Sequence, residues 1–310
     1  MRVHGVTIED TFAEAFRVWA CRLIVTAIDP HWARVAAREV TGYGTSVIGC
    51  DAEAGIESEL GPDQTPDGRP GVAMLFIAFN APSLAQAMPK RVGQCLMTAP
   101  TTAVYDGLGG RGRSPTDEGA TRIELGNRLR YFGDGWQRSK VVDFAEGPRR
   151  FWRVPVMDGE FTVEDTLAAV KAIGGGNFMV GASGQREALE AARRAVEAID
   201  AIPGVITPFP GGVVRSGSKV GSRYKALFAS TNDAFCPTLR RVSASPLPPD
   251  TGAVYEVVIN GLTEDAIRAA TRAGVLAAAA SPGVTRISAG NYGGKLGKFH
   301  FHLHPILTGA

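Results

Sequence analysis

Apolar positions along the chain alternate between two spacings. Ile8, Phe12, Phe16 and Trp19 recur at helical intervals and predict a first amphipathic helix. A β-rich run follows from Leu23 to Ile28, then a helix over His31–Val40 and a short strand over Tyr43–Ile48. The same order returns half a chain later as a helix near Val163–Val170, a strand at Phe178–Ala182 and a helix at Gln185–Ile199. Met74–Asn80 and Val254–Asn260 read as strands, each leading into an alanine-rich helix.

The recurrence extends to residue identity. Thr7-Ile8-Glu9-Asp10-Thr11 reappears 155 residues later as Thr162-Val163-Glu164-Asp165-Thr166, Arg22–Ala27 lines up with Asn177–Ala182, and Ala36-Ala37 with Ala191-Ala192. Each copy opens with Thr-x-x-Asp, which predicts helix-capping roles for Asp10 and Asp165. The expected fold is therefore α+β, with two homologous ferredoxin-like α/β sandwich lobes from an internal duplication. The lobes are expected over residues 1–150 and 151–310, the second carrying most of the active site. Gly107–Gly119 and the proline-rich Ser243–Gly252 are expected as exposed loops.

Composition narrows the partners. In 310 residues, 33 basic and 31 acidic side chains leave a net charge of +2, far from the concentrated positive field of a nucleic-acid binder. The first ten residues lack a signal-peptide pattern and no apolar run reaches bilayer length, so no membrane partner is expected and the cytoplasm is the expected compartment. Cys21, Cys50, Cys95 and Cys236 lie far apart without a CxxC pair, and read as reduced thiols rather than a disulfide framework or zinc knuckle.

Candidate chemistry is uneven along the chain. Gly290–Lys298 fails the phosphate-loop pattern because Tyr292 stands where the leading glycine belongs and Phe299 where Ser or Thr would bind magnesium. Gly174-Gly175-Gly176 has the wrong spacing for a dinucleotide fingerprint and precedes a strand. His300, His302 and His304 would share one face of a strand, but the outer pair would lie roughly 13 Å apart, too far for one ion; no metal ligand set is expected. Glu256 sits in Ala253–Asn260, a segment apolar enough to be a buried strand, in phase with Val254 and Val258. Unpaired, its carboxyl would be desolvated and become a usable proton donor near neutral pH; alternatively it is salt-bridged to a neighbouring arginine. Small polar residues cluster in Pro208–Gly212, Arg215–Lys219 and Ala229–Pro237, as suits a small-molecule cleft, although turn chemistry alone explains any one of them.

The segments GVTIEDTFAEAF, TGYGTSVIGC, AEAGI, TPDGRPG, GQCLMTAPT, FGDG, PFPGG, SKVGS, STNDAFCPT, YEVVINGL, SAGNYGGKLG and HLH together resemble, in order and spacing, the formylmethanofuran:tetrahydromethanopterin formyltransferases. That resemblance implies a two-lobed α+β subunit, a homotetramer, and formyl transfer between methanofuran and tetrahydromethanopterin. Both carriers act as substrates and no cofactor is tightly bound. Within YEVVINGL the family's catalytic glutamate falls on Glu256. Candidate substrate-binding residues are Arg215, Ser216, Ser218, Lys219, Arg223, Ser230, Asn232, Asp233 and Asn291. The serines and Asn232 would donate hydrogen bonds, while Arg215, Lys219 and Arg223 would meet carboxylates of a methanofuran-type tail.

A slightly basic balance, the excess of arginine over lysine and the Gly107–Gly119 loop are similar to the branch in methylotrophic bacteria. There the reaction runs from formyl-tetrahydromethanopterin to methanofuran during formaldehyde oxidation to formate, in a complex with formylmethanofuran hydrolase subunits. The alternatives are a noncatalytic scaffold subunit of such a one-carbon complex, and acyl transfer to some other amine.

Overall fold

The computed structural model describes residues 1–45, 50–109, 119–145, 147–217 and 232–309. The chain starts with β1 (Arg2–Val3), β2 (Val6–Ile8) and the long β3 (Phe12–Thr26). It continues through α1 (Pro30–Thr45), β4 (Glu53–Leu60), β5 (Gly71–Ala78), α2 (Ala81–Arg91), β6 (Ala103–Asp106), β7 (Ala120–Glu124) and α3 (Gly126–Leu129). Three strands follow, β8 (Arg138–Phe144), β9 (Gly147–Val156) and β10 (Gly159–Glu164), then the long β11 (Thr166–Ala182). The last part holds α4 (Gln185–Ile199), β12 (Val205–Ile206), β13 (Ala253–Gly261), α5 (Glu264–Ala279), β14 (Val284–Ser288), β15 (Phe299–His302) and α6 (Leu303–Thr308).

The chain forms two α+β lobes. One compact unit comprises residues 1–17 and 173–310, the other 18–172, so the boundaries fall inside β3 and β11. The position expected to divide the lobes, after residue 150, lies within β9.

In the 18–172 unit the strands run β4-β5-β3-β6, extended by β10, β9 and β8. In the other unit the order is β12-β13-β11-β14, extended by β2 and β1. Cys21, Leu23 and Val25, two residues apart, enter the first core with Val72, Met74 and Phe76. Phe178 and Val180 enter the second with Val257 and Ile259, under the alanines of α4 and α5. Gly274 lets those helices close up: a Cβ there would lie 2.8 Å from Ile199 Cδ1 and 2.9 Å from Phe178 Cζ.

The helices over His31–Val40 and Gln185–Ile199 and the strands at Met74–Asn80 and Val254–Asn260 form as expected, the second helix with the same bounds and the others within five residues at their ends. The two opening helices do not. Ile8 to Trp19 lies in β2 and β3, and Val163 to Val170 in β10 and β11. A spacing of four satisfies the helix period and the strand period alike, so Phe12 and Phe16 share a strand face. The period-two set Ala13, Ala15, fully buried, decides for the strand. Asp10 and Asp165 accordingly cap no helix. Asp10 is exposed beside His304, and Asp165 Oδ1 accepts from Trp152 Nε1 at 2.6 Å in the turn between β10 and β11. The helices start instead at Asn80, whose side chain accepts from the Ser83 N–H, and at Thr263, which accepts from the Ala266 N–H.

The short strand expected over Tyr43–Ile48 begins inside α1 and then lies outside the described residues, as does most of Gly107–Gly119. Residues 243–252 are a loop, but a partly buried one around Leu247 and Thr251. No helix among the described residues is long and apolar enough to cross a membrane.

Candidate active site

The Pro208–Gly212 turn places the first wall of the site. Gly211 and Gly212 adopt φ of 64° and 75°, and a Cβ on Gly212 would lie 2.6 Å from both Thr207 Oγ1 and Val196 Cγ1. The chain therefore turns tightly and runs beside β13, where Val214 exchanges both backbone hydrogen bonds with Glu256, at 2.9 and 3.1 Å. Two residues further on, Ser216 returns to the same strand face as Val214. Its hydroxyl donates to Glu256 Oε2 at 2.5 Å.

The second wall comes from two short 3-10 turns, Asp233–Phe235 and Pro237–Leu239. They present Asn232, whose Nδ2 donates to the same Oε2 at 3.1 Å. Ser245 Oγ donates to the Ala234 carbonyl at 2.7 Å and Arg240 binds the Pro248 carbonyl at 2.8 Å, tying this wall to the 243–252 loop. The base is the sheet. Along β13, Val257 and Ile259 face the core, whereas Val254, Glu256 and Val258 face the other way. Met179 of β11 is the register partner of Glu256.

These walls enclose a pocket of about 310 Å³ into which Arg215, Ser216, Asn232, Cys236 and Glu256 project among Met179, Phe235 and Tyr255. Burial pushes the Glu256 carboxyl above the ordinary glutamate range, and the Ser216 and Asn232 donors counter only part of that rise. Among the described residues no cation pairs with Glu256, and its carboxyl partners there are Ser216 and Asn232. A neutral carboxyl in a polar-lipped pocket can donate a proton or a hydrogen bond to a developing anion.

The structure thus brings Arg215, Ser216, Asn232 and Glu256 together, but not two other candidates. Asp233 does not line the pocket, and its carbonyl accepts instead from Ser243 and the Cys236 N–H. Asn291 binds Thr11 Oγ1 and the Phe12 carbonyl. Ser218, Lys219, Arg223 and Ser230 lie outside the described residues. Met179, Gln185 and Tyr255 line the pocket without having been singled out. Strand pairing to Glu256 would have found Met179, and chain adjacency Tyr255; Gln185 carries no such signal.

The glycine-rich Gly290–Lys298 loop has its own occupant. Amides of Tyr292, Gly294, Leu296 and Gly297 donate to the Glu14 carboxylate at 2.5–2.9 Å. Burial raises that carboxyl's pKa, but the four amides outweigh burial and hold it at about 2. His300 and His302 project together from β15 against the Phe12 ring. His304 stands in α6, where Nε2 contacts the Met1 amine and the Ile8 carbonyl. The three histidines do not share a strand face.

Fold and site together define a two-lobed α+β protein with a pocket built around one partly buried carboxyl that pairs with no cation among the described residues. The chain belongs to the formylmethanofuran-tetrahydromethanopterin formyltransferase family: the family model matches residues 1–156, and the model of the family's proximal lobe matches residues 159–306. It is 54% identical to the formylmethanofuran–tetrahydromethanopterin formyltransferase of Methylobacillus flagellatus, over 99% of this chain and 100% of that protein. It superposes with a TM-score of 0.91 and 51% identity on a chain of the formyltransferase/hydrolase complex from Methylorubrum extorquens in complex with methylofuran, covering 99% of this chain and 98% of that one. The corresponding enzyme from Methanosarcina barkeri superposes with a TM-score of 0.88 at 46% identity, covering 99% and 100%.

Proposed function

We propose that this chain is a formyltransferase moving a formyl group between tetrahydromethanopterin and methanofuran. The observation that carries the catalytic part is Glu256: a carboxyl with a raised pKa, facing a pocket, with no cation beside it among the described residues. An amine of one carrier attacks the formyl carbon of the other, and the carbonyl oxygen takes up negative charge that the protonated Glu256 neutralises. Arg215, Ser216 and Asn232 border this space. Ser218, Lys219, Arg223 and Ser230 lie in sequence between Arg215 and Asn232 and are proposed as further carrier contacts. Both carriers enter as substrates, and acid-assisted acyl transfer of this kind needs no resident cofactor.

Each lobe repeats strand-helix-strand-strand-helix-strand, with its first strand central, flanked by its third and fourth. That order supports ferredoxin-like lobes related by duplication. Likeness to the Methylorubrum extorquens complex supports formylmethanofuran hydrolase subunits as partners. The cytoplasm as location, a homotetrameric assembly, and the direction from formyl-tetrahydromethanopterin to methanofuran complete the proposal.

The test mixes formyl-tetrahydromethanopterin with methanofuran and the purified chain, follows the pterin absorbance, and repeats the assay with Glu256→Gln. Transfer that collapses in the variant supports the enzyme and its acid. Carrier binding without transfer by the wild-type chain, alone and with hydrolase subunits added, overturns the catalytic reading in favour of a scaffold.

A further inference from the structure

Glu256 holds its two oxygens unequally. Oε2 accepts from Ser216 Oγ at 2.5 Å and from Asn232 Nδ2 at 3.1 Å, whereas Oε1 has no hydrogen bond among the described residues. Both donors come from the connection over residues 207–252, and both line the pocket. An oxygen already accepting two donors is a poor seat for a proton, because an added O–H would have to displace one of them.

We infer that Ser216 and Asn232 are positioning residues for the acid: they lock Oε2, so that the exchangeable proton of Glu256 sits on Oε1 and points into the pocket. The inference rests on the proposed role of Glu256. It reassigns two side chains that were candidates for carrier binding.

The balance of the step is closed. As the attacking nitrogen forms its bond to the formyl carbon, the carbonyl electron pair moves to oxygen, which takes the proton from Oε1. When the intermediate collapses, that oxygen re-forms the carbonyl and returns the proton to Oε1. The bond to the original carrier nitrogen breaks with its electron pair, and that nitrogen gains the proton the attacking nitrogen has lost. Glu256 ends protonated as it began. Meanwhile the two donors stabilise the carboxylate present in the intermediate, which burial alone would disfavour.

The groups lining the pocket with Glu256 come from each element around it: Ser216 and Arg215 from one wall, Asn232 and Cys236 from the other, and Met179 from β11, while the Tyr255 side chain packs against the core. Among these, Ser216 and Asn232 make the hydrogen bonds to its carboxyl.

The test compares Ser216→Ala, Asn232→Ala, Ser216→Thr and Glu256→Gln in the full chain. Readouts are the pH profile of kcat, the split between kcat and KM, and the pH midpoint of the protonated-carboxyl infrared band that Glu256→Gln lacks. Each alanine variant should lower kcat about 10-fold with KM within about two-fold, as loss of one charge-assisted donor predicts. Each should also move the alkaline limb and the infrared midpoint upward by about one pH unit, because the carboxylate loses a donor. Ser216→Thr should restore both. An unmoved infrared midpoint, or a rise in KM at unchanged kcat, overturns the inference while leaving Glu256 as the acid if Glu256→Gln is inactive. Full activity in Glu256→Gln overturns the inference together with the reading on which it rests.

Discussion

The two lobes carry the same strand order and treat one register position in opposite ways. Where Met179 pairs with Glu256, the residue 155 positions earlier, Ile24, pairs with Ala73. The connection before that strand spans only residues 61–70 in one lobe and 207–252 in the other. The short connection is tied down onto β3 and β6: Asp67 takes donors from Thr26, Tyr105 and Arg69, at 2.7–3.0 Å. The long one supplies the two donors to Glu256 and leaves a pocket. A site here needs three things together: an acid on the non-core face of the central strand pair, donors to make its ionised form accessible, and open space beside it.

The largest expected effect follows from removing the acid. Glu256→Gln should reduce formyl transfer about 100- to 10,000-fold with little change in carrier binding, measured by pterin absorbance and by titration. The converse exchange, Ala73→Glu, places a carboxyl on a strand buried on both faces, without the Ser216 and Asn232 donors. It should lower stability by at least about 3 kcal/mol in urea denaturation. Wild-type stability in that variant would show that the 18–172 lobe has room for a site after all.

The contrast can be sharpened in the core. Gly274→Ala pushes a methyl group against Ile199 and Phe178 between α4 and α5. It should cost roughly 1–3 kcal/mol, read as loss of amide-exchange protection confined to the 173–310 part of the chain. An unchanged exchange pattern would show that α5 shifts freely.

Buried acids differ between lobes in the same spirit. Glu14 titrates at about 2 in the folded chain, below its ordinary 4.5, so its stabilisation is complete above about pH 4.5 and is lost as pH falls towards 2. Asp106 is raised to about 6, first by burial and then by the neighbouring Glu164 charge. Its ionisation therefore opposes folding above about pH 6, and the penalty fades as pH falls towards 3.8. Acidifying from about pH 7 to about pH 5 should strengthen exchange protection around β6 and leave residues 290–297 unchanged. Further acidification should loosen that loop. Glu14→Gln should remove the second effect and Asp106→Asn the first.

Much of this was legible in the sequence because it depends on local pattern. The helices with alanine stripes and the strands flanking them follow from apolar period and length, and Glu256 stood out as a carboxyl in phase with valines. What failed was where two periods coincide, at Phe12 and Phe16, and where a motif had two uses, at Thr-x-x-Asp. The glycine-rich loop shows a third kind of limit. Its residues fail the phosphate-loop pattern, but what its amides do bind, Glu14, is remote in sequence and becomes adjacent only through the pairing of β15 with β3. Asn291 likewise meets Thr11 and Phe12 only through folding.

The smallest expected effect tests whether the lobes are mechanically alike where they are chemically different. Asn80 and Thr263 cap α2 and α5, which each follow the register-equivalent strands, and each side chain accepts from the backbone N–H three residues on, at 2.9 and 3.2 Å. Alanine at either position leaves one amide of the first turn to water and should cost about 1 kcal/mol in urea denaturation. The hydrogen bond is local in both cases, so the two losses should agree within a few tenths of a kcal/mol. Formyl transfer should be unchanged in both variants, since neither cap touches the pocket. A much larger loss at Thr263 would mean that α5 supports the strand carrying Glu256 beyond its own packing. The lobe with the site would then be held more tightly than the lobe without it.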